Sequence, residues 1–306
     1  MDYASLSATP LTMSSISQRV LNWVGSGIAI IGIVFVAFRL HNYWGGIDLS
    51  QIAAEAWAFI LGLAVLYGAA NLLLALAWWH LLIHFDVQAT RLWAIKIYGV
   101  SQLAKYVPGN VFHLAGRQAM GMAAGVPGKI LAKTSLWELG LIAVAGLFYG
   151  WLVLPLIFPD FPSLISFFLL CGTVWGGAYL LSRIIGSPVA ASFLWQIFFL
   201  AVSGGIFAAL LRVIRDSLDY HIQTWLLIGG AYIVAWLAGL VTPGAPAGVG
   251  VRELILLLLL NGLVADGDLL RAVLLGRLIT IAGDFLFFVA AFLIPAKFCV
   301  LEKKYG

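Results

Sequence analysis

The sequence predicts an all-α, polytopic helical membrane protein. Hydrophobic residues make up 63% of the chain and charged residues only 10%, whereas soluble proteins typically carry about 25% charged residues. The mean hydropathy is +1.04, and several apolar runs reach the roughly 20 residues that a helix needs to cross a bilayer. Such runs are too long for the alternating strands of an outer-membrane barrel. We therefore expect one integral membrane domain, 1–306, and no sizeable soluble domain.

The apolar runs, taken in order, predict about eight transmembrane helices after a polar N-terminal tail, 1–18. The first run follows Arg19 without the pattern of a cleaved signal, so we expect it to be retained. The lysines near the C-terminus favour the cytoplasm, which places both termini inside if the number of spans is even. The predicted spans are 20–40, 52–80, 134–157, 163–181, 190–211, 224–241, a short run at 254–264 and 269–295.

A basic, less apolar region at 84–133 is predicted to face the cytoplasm. It contains six lysines and arginines, and no acidic residue occurs between Val87 and Trp137. Positive charge in short loops favours the cytoplasmic side of the membrane. We expect an amphipathic helix that leads into a re-entrant hairpin. The basic residues are Arg91, Lys96, Lys105, Arg117, Lys129 and Lys133.

Two similar Pro-Gly breaks interrupt the apolar chain, one in each half. Pro108-Gly109 precedes Arg117, and Pro243-Gly244 precedes Arg252 at the same spacing. Proline removes a backbone donor and glycine weakens a helix, and irregular backbone at membrane depth occurs only where protein buries it or where it lines a cavity. Corresponding breaks in two halves point to a binding site. The second broken element covers 241–262, and each break is either a re-entrant hairpin or an unwound span.

The residues around the breaks are suited to binding an anionic headgroup. Arg117 and Arg252 offer bidentate hydrogen bonds to a phosphate. Glycines allow backbone amides to approach the same group, and a helix that starts after a break points its positive end there. Glu253 follows Arg252 directly and is included in the predicted substrate site. The glycines of this predicted site are Gly109, Gly244, Gly248 and Gly250.

Three further ionisable residues lie within predicted spans, where charge is costly and functional candidates are expected. Glu138 lies in the third full span, and Arg277 and Asp284 lie on nearly the same face of the last helix. Glu138, Glu253 and Asp284 are expected either to balance the arginines when the site is empty or to carry a coupling proton. A structural alternative pairs Arg252 with a carboxylate and Arg277 with Asp284, to hold broken helices together.

Other candidate sites receive less support from the sequence. Lys105 and Arg91 are predicted to contact lipid headgroups non-specifically at the interface. His80 and His84 have the spacing of a metal pair, but no third ligand is nearby, so no metal or other cofactor is predicted. The phosphate-binding loop of ATPases, the zinc-protease motif and the nucleophile elbow of lipases are all missing from the sequence.

The two stretches, Ser101 to Arg117 and Val241 to Glu253, resemble the signatures of the lysylphosphatidylglycerol synthase transmembrane-region family of flippase-like proteins. In the second stretch extra residues follow Pro-Gly, which departs from the usual spacing. The resemblance implies a multi-pass protein of the bacterial or archaeal inner membrane that handles charged lipids of the cell envelope. The soluble aminoacyl-transfer domain of the best-known members is missing here, so we expect no synthesis of aminoacylated lipid.

The predicted function is therefore lipid transport by a flippase-like protein. The expected partner is an anionic phospholipid or a polyprenyl-phosphate lipid; a homo-oligomer is compatible with the sequence, and no nucleic acid is expected. One alternative is a membrane-embedded enzyme that acts on a lipid phosphate, with Glu253 or His113 as its base. Another is a non-catalytic subunit of a cell-envelope assembly complex.

Overall fold

The computed structural model describes residues 54–107, 112–214, 221–242 and 250–295, with side chains from residue 56. These described residues form ten α-helices joined by turns, with no strand among them. Short 3₁₀ turns at Leu103–Tyr106 and Tyr149–Val153 extend two of the helices. The helices are α1 (Ala54–His84), α2 (Arg91–Gln102), α3 (Phe112–Ala123), α4 (Gly128–Phe148), α5 (Leu154–Ile157), α6 (Ser163–Ile184), α7 (Ser187–Ile214), α8 (Ile222–Val241), α9 (Val251–Leu259) and α10 (Asp266–Leu293).

Six helical segments in the described part of the chain are long and apolar enough to cross a membrane. They are α1, the continuous segment Gly128–Ile157, α6, α7, α8 and α10, and they confirm six of the predicted spans. The predicted span 20–40 lies outside the described residues. The run at 254–264 is not a span, because α9 has nine residues and is therefore only about 14 Å long.

Helix α7 forms the centre of the bundle and packs against α1, α4, α6, α8 and α10. Helices α1 and α10 approach each other closely at two glycines. A Cβ atom on Gly68 would lie 2.8 Å from the carbonyl oxygen of Gly283, so the two backbones are in direct contact. Helix α6 lies at the periphery and exposes Phe168, Trp175 and other large apolar side chains. Such a surface is suited to contact with lipid.

The basic region forms two short helices, α2 and α3, of 12 residues each. Each is about 18 Å long, which is too short to cross a bilayer core of about 30 Å. Helix α2 begins at Thr90, whose Oγ1 accepts a hydrogen bond of 3.2 Å from the backbone N–H of Trp93. It ends in the turn Leu103–Tyr106, directly before the first Pro-Gly break, and packs against α1 and α10. This contact holds the approach to the break against the spans.

Candidate functional site

Three buried or partly buried ion pairs lie beside the two breaks. Each joins a residue next to a break to a residue of a membrane-spanning helix, so both breaks are anchored to the bundle. The first break is anchored on both of its sides, and the second on the side that follows it. The pairs are Lys105–Asp284, Arg117–Glu138 and Glu253–Arg277.

The pair formed by Arg117 and Glu138 is closed off from the surroundings. Only 2% of the Arg117 surface is exposed, and its Nη1 lies 2.5 Å from Glu138 Oε2. The Tyr98 hydroxyl donates to Glu138 Oε1 at 2.8 Å, and the Arg117 guanidinium lies 3.9 Å from the centre of the Tyr98 ring. Glu138 therefore balances the positive charge of Arg117. Charge balance is one of the two roles that the sequence predicts for the carboxylates.

Asp284 is fully buried and accepts hydrogen bonds from several elements. Its Oδ2 lies 2.7 Å from Lys105 Nζ and accepts a hydrogen bond from the Tyr106 hydroxyl. Its Oδ1 accepts from Asn71 Nδ2 at 3.0 Å and from Gln102 Nε2 at 3.4 Å. This carboxylate therefore joins α1, the end of α2 and α10 directly before the first break.

Arg277 does not pair with Asp284, so that part of the structural alternative is wrong. The two residues share a face of α10, but they are two helical turns apart and reach different neighbours. Arg277 instead donates from Nε to Glu253 Oε1 at 2.9 Å, while Asp284 pairs with Lys105. Each of the two residues pairs with the element that packs beside its own turn of α10. This element is α9 for Arg277 and the turn after α2 for Asp284.

Gly250 begins α9 with the positive φ of +88°. Its backbone N–H donates to Glu253 Oε2 at 2.6 Å, so this amide caps its own helix rather than lying open to a ligand. Of the other glycines in the predicted site, Gly109, Gly244 and Gly248 lie outside the described residues.

Arg252 differs from the other arginines of the predicted site. It is half-buried, and its guanidinium lies 5.0 Å from the centre of the Tyr232 ring. Within the described residues it forms no salt bridge to a carboxylate, so its predicted structural pairing is not found there. Tyr232 stands near the middle of α8. The Arg252 guanidinium therefore lies beside the middle of α8.

A narrow crevice lies beside Tyr232. The Ser203 side chain is 6% exposed, and its hydroxyl has no hydrogen-bond partner among the described residues. Burying a hydroxyl without a partner is costly, and the crevice is too narrow to admit a water molecule in this structure. The crevice is lined by Tyr67, Phe199, Leu200, Ser203, Tyr232, Ile233 and Trp236.

His113 lies at the start of α3, close to both ion pairs of the first break. Its Nδ1 is buried and has no hydrogen-bond partner within the described chain. Burial lowers the pKa of His113 to about 3, and the positive charges of Arg117 and Lys105 add to this effect. The imidazole is therefore neutral at physiological pH and is a weak base.

Sequence reasoning missed the role of Lys105, which it assigned to non-specific lipid contact. The structure pairs Lys105 with Asp284, whereas Arg91 stacks 4.6 Å from the centre of the Trp79 ring. One signal in the sequence pointed to the buried network. Asn71 is a polar side chain inside a long apolar span, and such a residue needs a polar partner.

Comparisons of the chain with models of protein families, with curated proteins and with solved structures each give no match. The resemblance to the lysylphosphatidylglycerol synthase transmembrane-region family therefore stays a prediction from the two motifs.

Proposed function

We propose that this protein is a flippase-like lipid transporter that binds the anionic phosphate headgroup of a phospholipid or a polyprenyl lipid. The observation that supports this most is the environment of Arg252. The described structure gives Lys105, Arg117 and Arg277 a carboxylate each, but it gives none to Arg252. A half-buried charge beside a membrane-spanning helix is costly without a counter-charge, and an anionic headgroup supplies one.

The surroundings of Arg252 are suited to a phosphate whose lipid tails remain in the membrane. The guanidinium offers paired donors, and Tyr232 holds it from one side. Ser203, Tyr67 and Tyr232 line the adjoining crevice, which would have to widen to admit a phosphate. The predicted contact between the headgroup and Arg117 requires the pair with Glu138 to open, so we assign the headgroup primarily to Arg252.

The proposed transport step moves the helices that flank the two breaks, α2, α3 and α9. Ion pairs connect these short helices to the spans. We propose that the protein lies in a bacterial or archaeal inner membrane with both termini in the cytoplasm. In this arrangement the headgroup enters from the cytoplasmic leaflet and leaves when the flanking helices shift.

Native mass spectrometry of the detergent-purified protein tests the headgroup site. We expect the wild type to retain a defined anionic lipid and Arg252→Ala to lose it. Arg91→Ala is the matched control, because Arg91 is also stacked on an aromatic ring but lies outside the proposed site. Equal lipid retention in all three proteins would contradict the assignment of Arg252.

A liposome assay separates transport from the two alternative functions. Proteoliposomes containing fluorescent NBD-phosphatidylglycerol report movement between leaflets through quenching by dithionite. We expect the wild type to move the probe faster than protein-free liposomes and faster than Arg252→Ala. A chemically altered lipid would instead favour an enzyme that acts on a lipid phosphate. Lipid binding without movement or chemical change would favour a subunit of an assembly complex.

A further inference from the structure

The first break is held on its two sides by ion pairs of different chemistry. Arg117 pairs with Glu138 through a rigid, planar guanidinium, whereas Lys105 reaches Asp284 at the end of a flexible four-carbon side chain. The exposures differ in the same sense, because the Lys105 side chain is 22% exposed and that of Arg117 only 2%. The Lys105–Asp284 pair is therefore the one that solvent reaches and that a shift of the turn Leu103–Tyr106 would open.

Opening this pair leaves Asp284 without its cation. Its side chain has no exposed surface, and an isolated carboxylate buried in apolar surroundings is strongly disfavoured relative to the protonated acid. Tyr106 belongs to the same turn as Lys105 and moves with it, whereas Asn71 remains on α1. Asn71 keeps its hydrogen bond to one oxygen of Asp284, and the other oxygen is free to take up a proton.

We infer that Asp284 is a proton-binding site, which the Lys105 ammonium group fills in the structure described. When Lys105 leaves, the Asp284 carboxylate takes one proton from water and becomes a carboxylic acid. When Lys105 returns, the acid releases that proton and the ion pair forms again. One proton is thus bound and released in each cycle, and Lys105 stays protonated throughout.

The groups around Asp284 connect this site to the proposed headgroup site. The ionisable and charged groups that face it are Lys105 and Tyr106 from the turn after α2 and Tyr67 from α1. Tyr67 also lines the crevice beside Tyr232, the residue on whose ring Arg252 is stacked. The Glu253–Arg277 pair lies further along α10. A headgroup at Arg252 and a proton on Asp284 would therefore change the charge on two sides of Tyr67, and this coupling rests on the proposed function.

Thermal unfolding in detergent tests the proton site without any transport. We compare Lys105→Met with the double variant Lys105→Met/Asp284→Asn at pH 5 and pH 8. Both variants lack the lysine, so effects of its removal on other groups cancel. In Lys105→Met the buried Asp284 carboxylate has no cation beside it, so its ionised form destabilises the folded protein. This loss of stability grows as the pH rises. We expect Lys105→Met to melt below the double variant by a larger margin at pH 8 than at pH 5, because the Asp284 carboxyl of the unfolded chain is already ionised at both pH values.

A difference in melting temperature that is the same at both pH values would overturn the proton site. Lys105→Gln with and without Asp284→Asn gives a second pair of proteins, should Lys105→Met fail to fold. The same comparison applies to that pair, and the same result would overturn the inference.

A pH gradient across proteoliposomes of phosphatidylethanolamine and phosphatidylglycerol tests the coupling. We expect the wild type to move NBD-phosphatidylglycerol faster by up to about tenfold per pH unit in one direction of the gradient, the factor that one proton carries. Asp284→Asn should respond to neither direction. Movement by the wild type that ignores the gradient would overturn coupling and leave the flippase in place. No movement at all would overturn the proposed function, and the melting comparison would still decide the proton site.

Discussion

Arg117 and Glu138 form an ion pair in which both side chains are more than nine-tenths buried, with 2.5 Å between Nη1 and Oε2. The pair joins α3, which follows the first break, to the membrane-spanning helix α4. Tyr98 contributes a hydrogen bond to the carboxylate and a ring face to the guanidinium. The charge of the break is thus neutralised inside the protein, and this side of the break is fixed to the bundle.

Removing one partner of this pair should cost far more than removing both. Arg117→Leu and Glu138→Leu each leave one buried charge without a partner, and we expect each to lower the free energy of unfolding by about 3–5 kcal/mol. The double variant Arg117→Leu/Glu138→Leu leaves no such charge and should recover most of the loss. Chemical unfolding of the four proteins in detergent gives the coupling energy. Losses that simply add in the double variant would show that the two charges do not depend on each other.

The spans were predictable from the sequence, whereas the partners of the ionisable residues were not. Hydropathy and length identify spans such as 163–181 and 224–241, because a bilayer selects on these two properties alone. Asp284 could likewise be predicted to be a costly buried charge, because it lies within an apolar run of the sequence. Its partner depends on how α10 is rotated against α2, and a helix that is apolar on all sides does not fix that rotation. The pairing of Asp284 with Lys105 and Tyr106 therefore emerged only from the structure.

The close contact between α1 and α10 predicts a strong effect of Gly283→Ala. A Cβ atom there would lie 2.7 Å from the carbonyl oxygen of Ala64, so the two backbones must separate. The hydrogen bond from Asn71 to Asp284, at 3.0 Å, lies next to this contact and should weaken. We expect a loss of about 1–3 kcal/mol, the usual cost of forcing extra volume into a close contact, measured as thermal unfolding in detergent.

Gly62→Ala is the control for this contact. Gly62 also lies in α1, but a Cβ atom there meets nothing within 4 Å, and alanine favours a helix over glycine by about 1 kcal/mol. This variant should be as stable as the wild type or slightly more stable. Equal destabilisation by Gly62→Ala and Gly283→Ala would mean that the close approach of α1 to α10 does not determine the cost of a side chain at residue 283.

The start of α9 predicts a backbone penalty at Gly250. Its φ of +88° is rarely adopted by residues with a side chain, although a Cβ atom would meet no other atom within 4 Å. Gly250→Ala should therefore cost about 1–3 kcal/mol through backbone strain alone. The Glu253 carboxylate, which accepts from the Gly250 N–H, should shift with it. Gly140→Ala, in the middle of α4 with open space around it, should cause no loss of melting temperature. A Gly250→Ala protein with wild-type stability would contradict the conformation of this turn.

The low pKa of His113 predicts that the folded protein loses stability in acid. Its pKa falls to about 3 in the folded protein, against about 6.5 in an unfolded chain. The unfolded chain therefore binds a proton first as the pH falls below about 6.5, and the fold loses stability until the pH reaches about 3. At pH 5 this loss amounts to about 2 kcal/mol. His113→Gln lacks the titrating group, so its melting temperature should fall less than that of the wild type between pH 8 and pH 5. Parallel curves for the two proteins would show that the His113 imidazole is not held in its neutral form beside Arg117 and Lys105.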